Sequence, residues 1–263
     1  MDLGLEGRVA LVAASSKGLG RAVAHELAAE GASLVVCART AETLAAAARE
    51  IEAATKAEVV AVAADVARAA DIARVVQAGI SRFGRIDVLV TNSGGPPPGR
   101  FDALSATAWQ EATQLTLFGP IEFARWVLPG MRERRWGRIL NITSIAVKQP
   151  IDSLMLSNSL RAAVTGWART LANEVAADGI TVNNLMPGYT RTERVDELAQ
   201  VIAAREGITP EQAIARWERE IPMGRIGDPR EFAALAAFLA SARASYITGT
   251  SIPVDGGWIR SLL

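Results

Sequence analysis

The segment LSNSLRAAVTGW at 156–167 begins with a polar turn and continues apolar, the pattern of a helix whose first turn faces something other than core. Ser157 and Arg161 stand four residues apart in it, on one helical face. The segment holds no tyrosine, histidine, lysine or carboxylate, so the usual side chains for proton transfer are missing. Other reactive types are sparse. The single cysteine, Cys37, falls in the apolar run SLVVCA and reads as a buried thiol. The single histidine, His25, sits in the helical stretch GRAVAHELAAEG, and no Cys/His cluster is present to ligate a transition metal.

A second chemical element is the turn AASSKGLG at 13–20, which follows an apolar strand and opens a helix. Ser15, Ser16, Lys17, Gly18, Leu19 and Gly20 would there present backbone N–H groups and a positive helix end to a pyrophosphate. A dinucleotide site that selects NAD(H) places an acid at the end of its second strand. This chain has CART there, with Arg39 and no acid before Glu42. With Lys17 in the turn, two cations are available to a 2′-phosphate, so NADP(H) is expected over NAD(H).

Positioning these groups requires a scaffold, and the pattern indicates which. Short β-branched runs near 8–13, 33–38, 58–63, 86–91, 138–143, 181–185 and 250–254 alternate with stretches of helical period near 18–30, 41–54, 69–82, 105–134, 154–177, 193–219 and 229–240. The early strands are continuously apolar, as in a parallel sheet covered on both faces. The expectation is an α/β fold, a doubly wound parallel sheet of about seven strands in one domain over 1–263, with no linker to divide it.

Of 263 residues half are hydrophobic, and the formal net charge is zero with both signs interspersed. Nothing favours nucleic acid or acidic lipid as a partner. No apolar run reaches the ~18 residues of a membrane span, and no cleavable leader is evident, so a cytoplasmic protein is expected.

In order along the chain, the glycine turn, ADV at 64–66, NSGG at 92–95, NITS at 141–144, NNLMPGYTRT at 183–192 and YITGTSIPVDGG near the end resemble the short-chain dehydrogenase/reductase family, and look nearest its 3-oxoacyl-(acyl carrier protein) reductases. The resemblance implies a Rossmann fold, adenine contacts at Asp65 and Val66, and a cofactor channel lined by Asn92, Ser93 and Gly94. It further implies nicotinamide-side contacts at Pro187, Gly188 and Thr192, and a homotetramer. Ala13 and Ala14 replace the family's Thr-Gly at the head of the turn, where a methyl could crowd the cofactor.

The family reduces carbonyls with a serine, a tyrosine, a lysine four residues later, and an asparagine on a preceding helix. Ser144 matches the serine. The tyrosine position falls on Ser157, the lysine on Arg161 and the asparagine on Thr116. The expected function is NADP(H)-dependent reduction of a small or acyl carbonyl, possible 3-oxoacyl substrates included, with a non-standard catalytic set. The alternative is a cofactor-binding sensor or partner subunit without turnover. Tyr189 and Lys148 are candidate substitute proton donors, with a packing residue and a solvated loop cation as the competing readings. The segment 193–220 is amphipathic and charge-rich; the resemblance implies a lid over the substrate, with a plain surface hairpin as the competing reading.

Overall fold

The computed structural model describes residues 2–262. Seven parallel strands form one sheet in the order β3-β2-β1-β4-β5-β6-β7. They are β1 (Val9–Val12), β2 (Ser33–Ala38), β3 (Val59–Ala63), β4 (Val88–Thr91), β5 (Gly137–Ile142), β6 (Ile180–Pro187) and β7 (Ser251–Val254). The strand order reverses between β1 and β4, and the crevice at such a switch point is where α/β sheets bind ligands.

Helices α1 (Gly18–Ala29), α2 (Ala41–Thr55), α3 (Ala69–Phe83), α4 (Ala106–Thr113), α5 (Gly119–Glu133), α6 (Met155–Val175), α7 (Glu193–Glu206), α8 (Pro210–Glu220) and α9 (Pro229–Ala240) fill the intervals. Alternate residues of β1 explain the layers. Ala10 and Val12 pack with Leu27 of α1, Leu44 of α2 and Phe232 of α9. Val9 and Leu11 face the other way, against Val75 of α3, Phe123 of α5 and Leu171 of α6. Each fully buried Leu, Val or Phe contributes about 1.5–3 kcal/mol, so both faces of the sheet are driven closed. Cys37 lies in this core, and burial pushes its thiol up to about 11. No helix among the described residues is long and apolar enough to cross a membrane.

Two helical expectations are corrected. The stretch 105–134 is not one helix: a single π-helical turn, Gln114–Phe118, separates α4 from α5. Pro120 has no N–H to return to the preceding turn, and Gly119 packs so tightly on the Val66 carbonyl that a Cβ would sit 2.6 Å from it. The stretch 193–219 is two helices. Gly207 (φ +66°) ends α7 in the left-handed region, and Thr209 with Gln212 forms a capping box that starts α8 at Pro210.

Candidate active site

The C-terminal ends of the strands open into one cavity of about 900 Å³. At one end stands the glycine turn. Lys17, the N-cap of α1, makes no side-chain cap, and no acid lies in the helix's first turn, so its leading N–H groups face the cavity uncapped. Gly18 holds φ +58°, and a Cβ on Gly20 would collide with the Ala14 carbonyl and lie 2.7 Å from Asn92 Nδ2. Ala14 keeps the left-handed conformation a glycine would take, at φ +49°, with its carbonyl accepting from Asn92 Nδ2 at 3.2 Å. The alanine therefore preserves the turn rather than shifting it.

Ser16, Lys17, Gly18 and Leu19 line the cavity; Ser15 and Gly20 lie behind it. The Ser15 hydroxyl donates to the Val12 carbonyl at 2.9 Å, which ties the turn to its strand. Arg39 is exposed on the lining at the end of β2, with no acid in ion-pair reach among the described residues. Asp65 and Val66 line the wall beside it, with Asp65 Oδ1 accepting from Ala67 N at 3.0 Å. Asn92, Ser93 and Gly94 continue the wall, followed by Pro187, Gly188 and Thr192. A Cβ on Gly188 would meet Asp255 at 2.7 Å, so this close strand crossing needs glycine. The cradle, the uncapped helix start and the cations fit a dinucleotide.

Ser144, Ser157 and Arg161 meet at the other end of the cavity. Arg161 Nε donates to Ser157 Oγ at 3.2 Å, and its Nη1 donates to the Ile142 and Thr143 carbonyls at 2.8 and 2.9 Å. Burial, with a smaller push from Arg194, lowers its guanidinium to about 10, so it is a cation throughout the neutral range. Ser144 Oγ accepts from Ala146 N at 3.1 Å. In both serines the oxygen is held and the O–H remains free to donate.

Thr116 lies apart from the main cavity, buried on the π-helical turn, and its hydroxyl has no hydrogen-bond partner among the described residues. It borders a void of about 10 Å³ shared with Asn92, Thr143 and Arg161. Tyr189 lines the cavity but stacks on Trp217 of α8 at 4.8 Å and meets Trp258 edge-on at 6.1 Å. Burial and the nearby Glu220 push its phenol up to about 12, the wrong direction for a proton donor. Lys148 is exposed and outside the cavity lining. Neither substitute donor has the required placement.

The residue-by-residue reading overlooked a charge from the α7–α8 hairpin. Arg194, on the first turn of α7, also lines the cavity, and its Nη2 would lie 3.5 Å from a Cβ on Gly95. It also overlooked a buried relay beneath the site: Thr91 donates to Asn141 at 2.7 Å, Asn141 to Asn184 at 3.1 Å, and Asn184 to Ser251 at 3.1 Å. This chain locks β4 through β7 in register under the serines.

Residues 13–259 match the family model described as Enoyl-(Acyl carrier protein) reductase. A 3-oxoacyl-[acyl-carrier-protein] reductase FabG of Vibrio cholerae is 32% identical, over 97% of this chain and 98% of the relative. The NADPH-dependent reductase BacG of Bacillus subtilis is 32% identical, over 97% of this chain and 99% of that protein. The crystal structure of L-sorbose reductase from Gluconobacter frateurii, complexed with NADPH and L-sorbose, superposes with a TM-score of 0.95 at 34% identity, covering 100% of both chains. The chain belongs to the short-chain dehydrogenase/reductase family, as an oxidoreductase that uses a nicotinamide dinucleotide.

Proposed function

We propose that the protein is an NADPH-preferring carbonyl reductase in which Ser144, Ser157 and Arg161 do the work usually shared by a serine, a tyrosine and a lysine. The observation that carries this is the Arg161 Nε to Ser157 Oγ hydrogen bond of 3.2 Å at the reacting end of the cavity. Arg39, without an acidic partner among the described residues at the end of β2, supports the preference for a 2′-phosphate.

The dinucleotide, when bound along the wall from Arg39 to Thr192, supplies the hydride for the carbonyl carbon. Ser144 and Ser157 each offer an O–H to the carbonyl oxygen. As that oxygen gains charge, the Ser157 proton passes to it, giving the alcohol and a serine alkoxide. The adjacent guanidinium stabilises the alkoxide electrostatically. Arg161 does not give up its own proton. Reprotonation of Ser157 comes from water in the main cavity, which Ser157 lines.

The α7–α8 hairpin acts as the lid, anchored by the Tyr189–Trp217 stack. A sensor without turnover is the weaker reading, because a site freed from chemistry has no need to hold a partly buried cation against a serine. The family relationship also supports a single domain, a homotetramer and a cytoplasmic setting. The direct test is titration with NADPH and NADH, then a carbonyl screen at high protein concentration. Tighter NADPH binding with carbonyl-dependent oxidation is expected; tight binding with no oxidation across the screen would leave only the sensor.

A further inference from the structure

The charges that line the cavity are sorted by region. Glu50 pairs with Arg21 at the adenine end, Asp65 lies on the wall beside it, and Glu193 approaches Gly18 at the glycine turn. Beside Ser157 the lining carries the Arg161 guanidinium, and Arg194 adds a second where its Nη2 nears Gly95; the lining carboxylates among the described residues are Glu50, Asp65 and Glu193. Arg161 has no acid in ion-pair reach among the described residues: its partners are two backbone carbonyls and a hydroxyl. Arg194 has one loose partner, Glu197 at 3.7 Å, with both side chains about half exposed. Both arginines line the same cavity, and the Arg194 charge adds to the push on Arg161.

Two like charges facing one partly desolvated space are costly, and an anion between them removes that cost. The remaining walls there are apolar, from Ile145, Ile151, Leu154, Val195 and Leu198. Position narrows the anion further. The reacting oxygen must lie within hydrogen-bond reach of Ser157, whose Oγ is itself 3.2 Å from Arg161 Nε. The negative group must therefore sit within one or two carbons of the carbonyl. A planar carboxylate suits the guanidinium fork at that distance.

Building on the reductase reading, we infer that the substrate is an oxo acid, a carboxylate next to or one carbon from the reduced carbonyl and carrying an apolar body, held by Arg161 and Arg194. Arg161 then serves twice: Nε and Nη1 are held by Ser157 and the Ile142 and Thr143 carbonyls, and Nη2 is left for the carboxylate.

Binding of benzoylformate and of its methyl ester to the NADP⁺-saturated protein tests this without turnover. Calorimetry on wild type should show the acid binding at least about tenfold more tightly than the ester, the scale of one charge-assisted pair, and weakening as salt rises. Arg194→Met, at an exposed position, should reduce the acid-to-ester ratio about tenfold, with Arg194→Lys recovering part of it. Equal affinities, a ratio unchanged in Arg194→Met, or no binding of either probe would overturn the inference. Acid-selective binding without NADPH-dependent reduction of any carbonyl would instead sink the reductase reading and leave this one standing.

Discussion

Arg161 and Ser157, one turn apart on α6, are joined by an Nε to Oγ hydrogen bond of 3.2 Å while Nη1 of the same arginine is fixed to the ends of β5. The guanidinium is thus fixed at three points, with the serine O–H left to donate. Its pH behaviour follows. Arg161 sits at about 10 and Tyr189 at about 12, so neither changes charge near neutrality. A cation lowered by burial works below its folded pKa and fails above it. Reduction should be level over roughly pH 6–9 and fall as pH passes about 10, with Arg194 the neighbouring charge that adds to the push. A fall centred near neutrality in a rate–pH profile would exclude Arg161 as the essential charge.

Restoring the family's own pair tests the register of α6. Ser157→Tyr with Arg161→Lys puts a phenol with an ordinary pKa of about 10 beside an ammonium, a far better acid than a serine. The double variant should reduce neutral ketones about tenfold or more faster than the wild type in steady-state assays. No gain, with NADPH affinity retained, would mean that residue 157 does not face the carbonyl.

Ala14 offers a stability test. An L-residue in the left-handed region costs roughly 1–2 kcal/mol, and glycine relieves that while costing about 0.5–1 kcal/mol of chain entropy. Ala14→Gly should leave the unfolding midpoint unchanged or raise the stability by up to about 1 kcal/mol. Ala10→Gly, in the fully buried centre of β1, should lower it. Denaturant titration of both separates backbone strain from lost packing; equal destabilisation would refute the strain.

Lys17 Nζ lies 3.6 Å from Glu197 Oε1 on α7, so a cation offered to the cofactor also touches the lid. Both side chains are more than half exposed, which makes the pair weak and salt-sensitive. Glu197→Gln should tighten NADPH binding a few-fold at low salt, and the gain should vanish near ~1 M salt, where screening acts over about 3 Å. Unchanged affinity at low salt would show that Lys17 does not contact the phosphates.

Much of the fold is legible in the amino-acid pattern. Continuous apolar runs gave the strands because a parallel sheet buries both faces, and Ser33–Ala38 and Pro229–Ala240 fall where the pattern puts them. The serine–arginine pair was found through the family resemblance, which sets Ser157 and Arg161 at its tyrosine and lysine positions, four residues apart on one helix face. What was hidden depends on tertiary neighbours. The π-helical turn at Thr116 reflects Pro120 acting together with the tight seat of Gly119 on Val66. Thr209-Pro210 with Gln212 was a readable helix start, overlooked inside a long amphipathic stretch. Arg194 reaches the cavity only because α7 folds back over Gly95, and Tyr189 is disqualified by its aromatic packing, which no spacing reveals.

The most direct measurement is single-turnover oxidation of saturating NADPH with an accepted carbonyl substrate, comparing wild type with Ser157→Ala. Loss of the donated proton should slow the step by about 10²–10⁴ while NADPH affinity stays the same. A Ser157→Ala protein that turns over at the wild-type rate would contradict the account, because the proton would then come from elsewhere.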